Sequence, residues 1–354
     1  PLAAWVGASV GRREWISNAT VAGSGAFAGG SFVLTAGVLH LGAEWEPVRA
    51  VSGAMVVAVV AAAVEAIGRN GWDNLFVVLA VLLVLVPLHD AGTSVRDLGR
   101  SIAVGIGFGI AAYVLRALDP RGAVAGGLFA FSLVGLGGWA WALPGFVFFV
   151  LASMLSLVGG DSDEEEREGR SLRQVVANGG VAWGLLVVFA VLPSDMSVSR
   201  TGCYVGFLGA LAAAAADTWA TELGVWSAGR PWSIRMGERV PAGQSGAVSL
   251  AGTGAAALGA GSVAVAAALS MEMPIQLSWE TLVEVSGAGL VGMMVDSLAG
   301  AFLQARYWDP ETARLVESAD DEATSLVRGW RWIDNEAVNL LGTAAGALAA
   351  FLLW

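Results

Sequence analysis

Long apolar runs recur along the whole chain and are separated by short polar segments. A helix that crosses a bilayer needs about 20 mostly apolar residues. The pattern predicts eleven such helices, at residues 21–39, 48–68, 74–92, 100–117, 122–137, 139–158, 175–193, 201–217, 246–270, 281–303 and 335–354. The fold class predicted from the sequence is therefore all-α, a polytopic integral membrane protein with about eleven transmembrane helices.

The arginines indicate the orientation of these helices, because loops rich in arginine remain on the cytoplasmic side. If the N-terminus is cytoplasmic, fifteen of the 19 arginines fall in inner segments. Only Arg49, Arg96, Arg100 and Arg200 fall in outer ones. We therefore expect a cytoplasmic N-terminus and a multi-pass protein of the cell membrane.

The composition is typical of a membrane protein, and it excludes some kinds of phosphate-binding and metal-binding site. The chain is 56% hydrophobic and 14% charged, against about 25% charged in soluble domains. All 19 positive charges are arginine and the net charge is −11, an acidic balance that is typical of a halophile. Without lysine, a GxxxxGK[ST] phosphate loop is excluded. The single cysteine, Cys203, excludes an internal disulfide and a cysteine-based metal cluster.

Acidic and amide side chains gather near the predicted inner face. Asp217 is predicted to close the eighth helix, and Asp296 lies about two turns before the inner end of the tenth. A carboxylate at the bilayer centre costs about 3 kcal/mol and is a functional candidate by default. Further polar candidates near this face are Glu65, Asn178, Asn335 and Asn339. A single amide such as Asn178 is equally expected to serve as a hydrogen bond between helices.

The segment 228–247 follows the eighth helix on the same predicted face. It contains Arg230, Arg235 and Arg239, and then Ser245 and Gly246 at a predicted helix start. Helix N-termini bind anions through their backbone N–H groups, and arginine binds phosphate with two parallel hydrogen bonds. The same arginines are also expected as ordinary signals of membrane topology.

Three carboxylates lie close to this segment in the predicted topology, namely Asp217, Glu222 and Asp296. Magnesium is held in proteins by one or two carboxylates together with substrate phosphates. These residues are therefore predicted to bind Mg²⁺ over phosphates that the loop holds. By contrast, the glycine-rich run at 252–261 is expected to be a packing surface between helices, and the acidic run at 161–170 a solvated loop.

Several motifs occur in a fixed order from about residue 118 to the C-terminus. They are LDPRGAVAGG (118–127), GGWAWALPGFVFFVLASMLS (137–156), RQVVANGGVA (173–182), ADTWATELG (216–224), RVPAGQSGAVSLAGT (239–253), VDSLAGAFLQ (295–304) and IDNEAVNLL (333–341). This region resembles the membrane family that includes phytyl-phosphate kinase and transmembrane protein 19. Thr221, Gln244 and Ala247 depart from the pattern expected for that family.

The N-terminal stretch carries a second resemblance. The segments GRREWISNATVAGSGAFAGG (11–30) and AAAVEAIGRNGWDNLFVVLA (61–80) are similar to the C-terminal half of CTP-dependent polyprenol kinases. Residues 1–115 are therefore predicted to form an N-terminal half-module, and residues 116–354 the phytyl-phosphate-kinase-like domain. Asp73-Asn74 also repeats weakly as Asp334-Asn335.

The resemblance implies a kinase that moves phosphate from a nucleotide, with CTP the expected donor, to a prenyl monophosphate. It implies Mg²⁺ on Asp217, Glu222 and Asp296. The phosphates would contact Arg230, Arg235, Arg239, Ser245 and Gly246, with support from Asn178, Asp334, Asn335 and Asn339. The expected partners are the lipid bilayer and the prenyl phosphate, and no nucleic acid. The alternatives are a transporter or carrier of an anionic lipid or metabolite, or an inactive membrane scaffold.

Overall fold

A computed structural model of the chain describes residues 2–10, 14–16, 19–68, 76–78, 80–82, 84–85, 95–159, 169–224, 229–241, 246–270, 278–310, 314–317 and 325–354. The contacts group these residues into two units. The first takes the described residues of Pro1–Leu136 and Glu168–Leu172, and the second those of Gly137–Arg167 and Arg173–Trp354. The family resemblance placed a boundary at residue 115, and that boundary remains a prediction about sequence relationship.

Among the described residues, the first unit has five helices with defined ends and one short hairpin. Two of the helices continue as a π-helical turn, at Val38–Gly42 and at Leu133–Gly137. The helices are α1 (Leu2–Val10), α2 (Val21–Gly37), α3 (Pro47–Ile67), α4 (Val95–Val114) and α5 (Pro120–Ser132). The hairpin pairs β1 (Glu14–Ile16) with β2 (Ala19–Thr20).

In its described part, the second unit has six helices and two small antiparallel sheets. The helices are α6 (Trp139–Gly159), α7 (Leu172–Val191), α8 (Ser197–Gly224), α9 (Leu250–Ala268), α10 (Trp279–Phe302) and α11 (Asn335–Leu353). One sheet pairs β3 (Trp232–Ser233) with β4 (Ala247–Val248). The other has the strand order β6-β5-β7, formed by Arg314–Val316, Arg306–Asp309 and Ser325–Arg328.

Ten helices among the described residues are long and apolar enough to cross a membrane. They match ten of the eleven predicted helices, including the short one at Pro120–Gly137, so the prediction of a polytopic helical membrane protein is confirmed. The remaining predicted helix, 74–92, lies mostly outside the described residues.

Helices α8, α10 and α11 meet along a seam of glycines, in which backbone packs on backbone. A Cβ added to Gly346 of α11 would lie 2.6 Å from Gly209 O and 2.6 Å from the Cβ of Ala213, both in α8. A Cβ on Gly292 of α10 would lie 2.7 Å from Gly342 O in α11. Only glycine therefore permits this approach of the three helices.

The pairings along the seam fix the helix directions. Val205 of α8 packs with Ala288 of α10 and Ala350 of α11 at one end. At the other end, Gly292 faces Ala213 of α8. From the first of these contacts to the second, residue numbers rise in α8 and in α10, whereas those in α11 fall. Helices α8 and α10 are therefore parallel, and α11 is antiparallel to both. The polar ends of α8 and α10 therefore lie at the same end of the unit, where α11 begins.

Helix α9 packs against α8 through part of the predicted glycine surface. A Cβ on Gly259 would lie 2.7 Å from Ala215 O, and one on Gly252 would lie 3.2 Å from Ala220 O. Gly254 and Gly261 have no atom within 4 Å of an added Cβ. The expected packing surface therefore exists, but it uses only some of the glycines of that run.

An aromatic cluster fills the opposite end of the second unit. Trp141 of α6 lies with its ring centroid 5.0 Å from Tyr204 and 4.6 Å from Phe207 in α8. The ring of Phe189 in α7 lies 4.7 Å from that of Trp141. The buried Tyr204 hydroxyl donates to Ala140 O at 3.1 Å, so its polar atom is satisfied within the core.

The three-stranded sheet connects the end of α10 to the start of α11. Ala305 N donates to Ile333 O at 2.8 Å and Trp330 N donates to Leu303 O at 3.0 Å, which closes the sheet onto the two helix ends. Gly329, with φ of +75°, allows the chain to pass directly over the backbone of Gln304. The sheet is therefore held at the same end of the unit as Asp296.

Candidate functional site

The side chains of Asp217 and Asp296 meet between α8 and α10. Their carboxyl groups lie within hydrogen-bonding reach of each other. The sequence prediction that these two acids converge therefore agrees with the structure. One detail of it is wrong, because α8 does not end at Asp217 but continues to Gly224, so the carboxyl group lies two turns inside the helix.

Small residues bring the two acids together. Asp217 and Asp296 follow Ala213 and Gly292 by one helical turn, and these two residues touch across the same pair of helices. Since residues four apart lie on one face of a helix, the close contact at Ala213 and Gly292 directs both carboxyl groups toward each other. The glycine seam thus builds the site as well as the core.

Asp296 also faces α11 at Gly342. A Cβ on Gly342 would lie 3.0 Å from the Cβ of Asp296 and 3.3 Å from its Oδ2. Oδ2 itself is buried and accepts no hydrogen bond from any described residue. Two carboxylates this close are compatible only if a proton or a cation lies between them. The pair is therefore a candidate cation site.

Two of the predicted amides lie on the helices α11 and α7, in the same part of the second unit. Asn339 precedes Gly342 by about one turn of α11 and is partly buried. Thr343, one turn after Asn339, donates to Ala177 O at 3.4 Å, which brings α7 and Asn178 to the same region. The Nδ2 of Asn178 donates to Gln174 O at 3.1 Å. Asn339 therefore lies one turn from the position that faces Asp296, and Asn178 follows the residue that contacts Thr343.

Asp334 and Asn335 have other positions. Asp334 is the N-cap of α11, and its Oδ1 accepts from Ala337 N at 2.9 Å. Its Oδ2 also forms an ion pair with Arg173 of α7. Asn335 is exposed in the first turn of the helix. Both residues were predicted as supporting ligands, and the structure gives Asp334 a capping role instead.

Glu222 does not join the carboxylate pair. Its Oε1 accepts from Ser156 Oγ of α6 at 3.0 Å. Residues five apart on a helix point about 140° apart, so Glu222 and Asp217 cannot share a face. In the described part of the chain, no three acidic, histidine or cysteine side chains form a metal-binding group. The predicted three-carboxylate magnesium site is therefore reduced to two carboxylates.

The predicted anion site at the start of α9 is also different in the structure. Helix α9 begins at Leu250, with Ser249 as its N-cap accepting from Gly252 N at 3.0 Å. Gly246 lies before β4 with φ of +74°, and a Cβ there would lie 2.6 Å from Ala301 of α10. Gly246 therefore packs the loop onto α10 and does not start a helix. Ser245 lies outside the described residues.

The three predicted loop arginines are all exposed. Arg239 Nη1 donates to Arg230 O at 3.4 Å, which joins the two ends of the loop. Arg235 is in the turn after β3, where Gly237 N donates to Ser233 O at 3.0 Å. Arg239 therefore links the two ends of the loop through the backbone of Arg230, and Arg235 is exposed in the turn.

Two further arginines belong to this end of the unit and were missed from the sequence. Arg306 of β5 and Arg328 of β7 are directly opposite each other in the antiparallel register. The pKa of Arg328 is lowered by burial, and then by the positive charges of Arg235 and Arg306. The signal that could have found them is the pair of short segments ARYWD and SLVRGW on either side of one loop.

The fold and the site together define a multi-pass integral membrane protein with a buried acidic pair at one end of a helical unit. The chain belongs to the family described as Integral membrane protein DUF92, whose model matches residues 103–347. The matched region includes Asp217, Asp296 and the arginines described above. No solved structure matches the chain.

Two curated relatives show how far the similarity extends. An uncharacterized membrane protein, MJ0933, from Methanocaldococcus jannaschii is 26% identical over 242 residues, which is 68% of this chain and 87% of that protein. Protein PGR from Arabidopsis thaliana is 32% identical over 250 residues, covering 65% of this chain and 86% of the relative. Neither name states a reaction.

Proposed function

We propose that this protein is a magnesium-dependent prenyl-phosphate kinase. It would transfer the terminal phosphoryl group of a nucleoside triphosphate, with CTP the expected donor, to a phytyl, geranylgeranyl or other polyprenyl monophosphate. The product would be the prenyl diphosphate. The observation that carries this proposal is the convergence of Asp217 and Asp296 inside a membrane helix bundle. The buried Oδ2 of Asp296 accepts no hydrogen bond from the described residues.

The donor set suits Mg²⁺ bound together with phosphates. Magnesium prefers oxygen ligands and uses one or two carboxylates, with phosphate oxygens and water completing its shell. Asp217 and Asp296 would be these carboxylates, and the amide oxygens of Asn339 and Asn178 would bind the metal-bound waters or the phosphates. The bound ion would neutralise the charge on the phosphates that react.

In phosphoryl transfer the protein mainly positions the reactants and stabilises their charge. An oxygen of the prenyl monophosphate attacks the γ-phosphorus of the donor, and the bond from that phosphorus to the bridging oxygen breaks to release the nucleoside diphosphate. The second pKa of a phosphate monoester is about 6, so at neutral pH the attacking oxygen is already ionised. No general base is therefore required, and in-line positioning with electrostatic stabilisation is sufficient.

The location of the pair also fits a lipid substrate. Asp217 and Asp296 lie near the ends of apolar helices, with the polar loop and the small sheet beyond them. Exposed apolar side chains such as Val283, Val291 and Met294 on α10 face outward along the same helix. A prenyl tail can lie against such an apolar surface in lipid while its phosphate reaches the polar end.

The test is an assay of purified protein in detergent with Mg²⁺, labelled CTP or ATP, and geranylgeranyl or phytyl monophosphate. We expect labelled diphosphate from the wild type and at least about a 100-fold loss in Asp217→Asn and Asp296→Asn, as for removal of a group that organises transition-state charge. Asp334→Asn is the matched control, because asparagine also serves as an N-cap, and it should keep wild-type activity.

A binding measurement accompanies the assay. Mg²⁺ should raise the melting temperature of the wild type and of Asp334→Asn, because a ligand that binds only the folded state stabilises it. It should not raise that of Asp217→Asn or Asp296→Asn. Full activity in either of these two variants, or absence of diphosphate with every donor and acceptor tried, would contradict the proposal.

A further inference from the structure

Three arginines from separate segments converge on the small sheet at the end of α10. Arg306 and Arg328 are paired across β5 and β7, next to a shift of register between Arg306 and Tyr307. Arg235 comes directly after Ile234, whose N–H donates to Gly246 O at 3.1 Å, and Gly246 packs against Ala301 near the end of α10. The positive charge of Arg235 also acts on Arg328, as that of Arg306 does. The three guanidinium groups therefore lie in one cluster, which we call the arginine cluster.

Among the described residues, the cluster has few negatively charged neighbours. Its one described acidic neighbour is Glu317, whose Oε1 lies 2.7 Å from Nη2 of Arg306 in a geometry that makes no hydrogen bond. No ion pair is found for Arg235 or Arg328 within the described residues. Within the part of the chain that the structure describes, the three arginines have one carboxylate as an ion-pair partner, and that carboxylate is about half exposed.

The cluster is also partly enclosed. The side chain of Arg306 is only 9% exposed, and its Nε has no hydrogen-bond partner among the described residues. The Nε of Arg328 is buried and likewise makes no hydrogen bond within the described part of the chain. A buried cationic donor without a partner costs free energy, as do like charges directly across a sheet. An anion bound beside these donors would reduce this cost.

A phosphate group has the required properties. It carries about two negative charges at neutral pH and several strong acceptor oxygens, and the planar fork of arginine matches those oxygens with two parallel hydrogen bonds. Two Nε–H donors without a described partner, on two of three neighbouring arginines, suit the oxygens of one phosphate dianion. The low exposure of Arg306 would strengthen each such bond relative to a fully solvated one.

We propose that Arg235, Arg306 and Arg328 form a binding site for a phosphate group, separate from the carboxylate pair. The site lies beyond the end of α10, and Asp296 precedes that end at Phe302 by six residues, a rise of about 9 Å. The assignment of the donor nucleotide's phosphates to this site rests on the proposed function, whereas the binding of a phosphate group does not. The alternative source of the same chemistry is the phosphate headgroup of a lipid.

The first experiment measures binding of inorganic pyrophosphate to the purified protein in detergent, by calorimetry at fixed ionic strength and without Mg²⁺. Arg235→Gln and Arg328→Gln should each weaken the affinity at least about tenfold. Arg230→Gln, an exposed arginine of the same loop, should bind as the wild type does. Asp217→Asn should also bind normally, because the carboxylate pair is not involved.

A second readout separates binding from a merely structural role. Removing one of several like charges should raise the melting temperature of ligand-free Arg328→Gln, because burial and its arginine neighbours disfavour the charged group in the folded state. A fall in that melting temperature would show that the guanidinium supports the fold. Equal pyrophosphate affinity in wild type, Arg235→Gln and Arg328→Gln would overturn the inference.

The source of the phosphate is distinguished by repeating the titration with short-chain phosphatidic acid. Arginine-dependent binding of pyrophosphate assigns the site to a soluble phosphate compound, and arginine-dependent binding of phosphatidic acid alone assigns it to a lipid headgroup. Absence of both contradicts the proposal. The kinase proposal and the phosphate-site proposal can fail separately. Loss of activity in Asp217→Asn together with unchanged binding in the arginine variants would contradict only the phosphate site at the arginine cluster.

Discussion

The glycine at position 342 is predicted to control the geometry of the acidic pair. In Gly342→Ala the new Cβ would lie 3.0 Å from the Cβ of Asp296, 3.1 Å from Gly292 O and 3.3 Å from Asp296 Oδ2. These contacts are tight but not impossible, so α10 and α11 would separate by a few tenths of an ångström. The Asp296 carboxyl group would move with α10, which changes its position relative to Asp217.

The cost in stability should be small. Overpacking a core costs about 1–3 kcal/mol, and these contacts belong at the low end of that range. Alanine stabilises the interior of a helix by about 0.5–1 kcal/mol relative to glycine. The two effects nearly cancel, so we expect Gly342→Ala to unfold within about 1 kcal/mol of the wild type. The melting temperature in detergent checks this.

The cost in function should be large by comparison. A displacement of about 1 Å at a catalytic group can reduce a rate about 100-fold, so a few tenths should reduce it several-fold to tenfold. Mg²⁺ affinity should fall in the same variant, because both carboxylates must contact one ion. Both quantities are measured on the protein used for the melting experiment.

Two other glycines of α10 provide the controls. Gly287 has no atom within 4 Å of an added Cβ, so Gly287→Ala should be neutral or stabilising by up to about 1 kcal/mol. In Gly292→Ala the new Cβ would lie 2.7 Å from Gly342 O and would collide with Ala213, so we expect a loss of more than about 3 kcal/mol. Equal melting temperatures for Gly287→Ala and Gly292→Ala would refute the packing argument.

Two further predictions concern the framework of the second unit. Asp334→Ala should lower the free energy of unfolding by about 1 kcal/mol, because Ala337 N loses its cap. Arg173→Ala should lower it by about half of that or less, because the side chains of this ion pair are 68% and 38% exposed. Equal losses in the two variants would mean that the ion pair and not the cap is important. Tyr204→Phe should cost about 1–2 kcal/mol because Ala140 O loses its buried donor, and an unchanged melting temperature in detergent would contradict that role.

The membrane helices were predictable because each is encoded locally. A run of about 20 apolar residues specifies a spanning helix with no information from the rest of the chain. The ends were less predictable, and α8 shows the reason. The residues after Asp217 are Thr, Trp, Ala, Thr, Glu and Leu, which are compatible with a helix, so the helix continues until Gly224 although the apolar run has ended.

The candidate site was predictable only where it depends on few contacts. Asp217 and Asp296 were expected together because each is an acid in an apolar helix and needs a partner. Glu222 was added on nearness in sequence, but its position around the helix directs it to Ser156. The pairing of Arg306 with Arg328 depends on the register of two strands separated by a loop, which no local pattern encodes.

The glycine seam has a mechanical consequence. Gly209, Gly292 and Gly346 join α8, α10 and α11 through backbone atoms, and backbone cannot rotate out of the way as a side chain can. These three helices must therefore move as a single rigid block. Any rearrangement that admits a large molecule must leave this block intact and displace the parts attached to it.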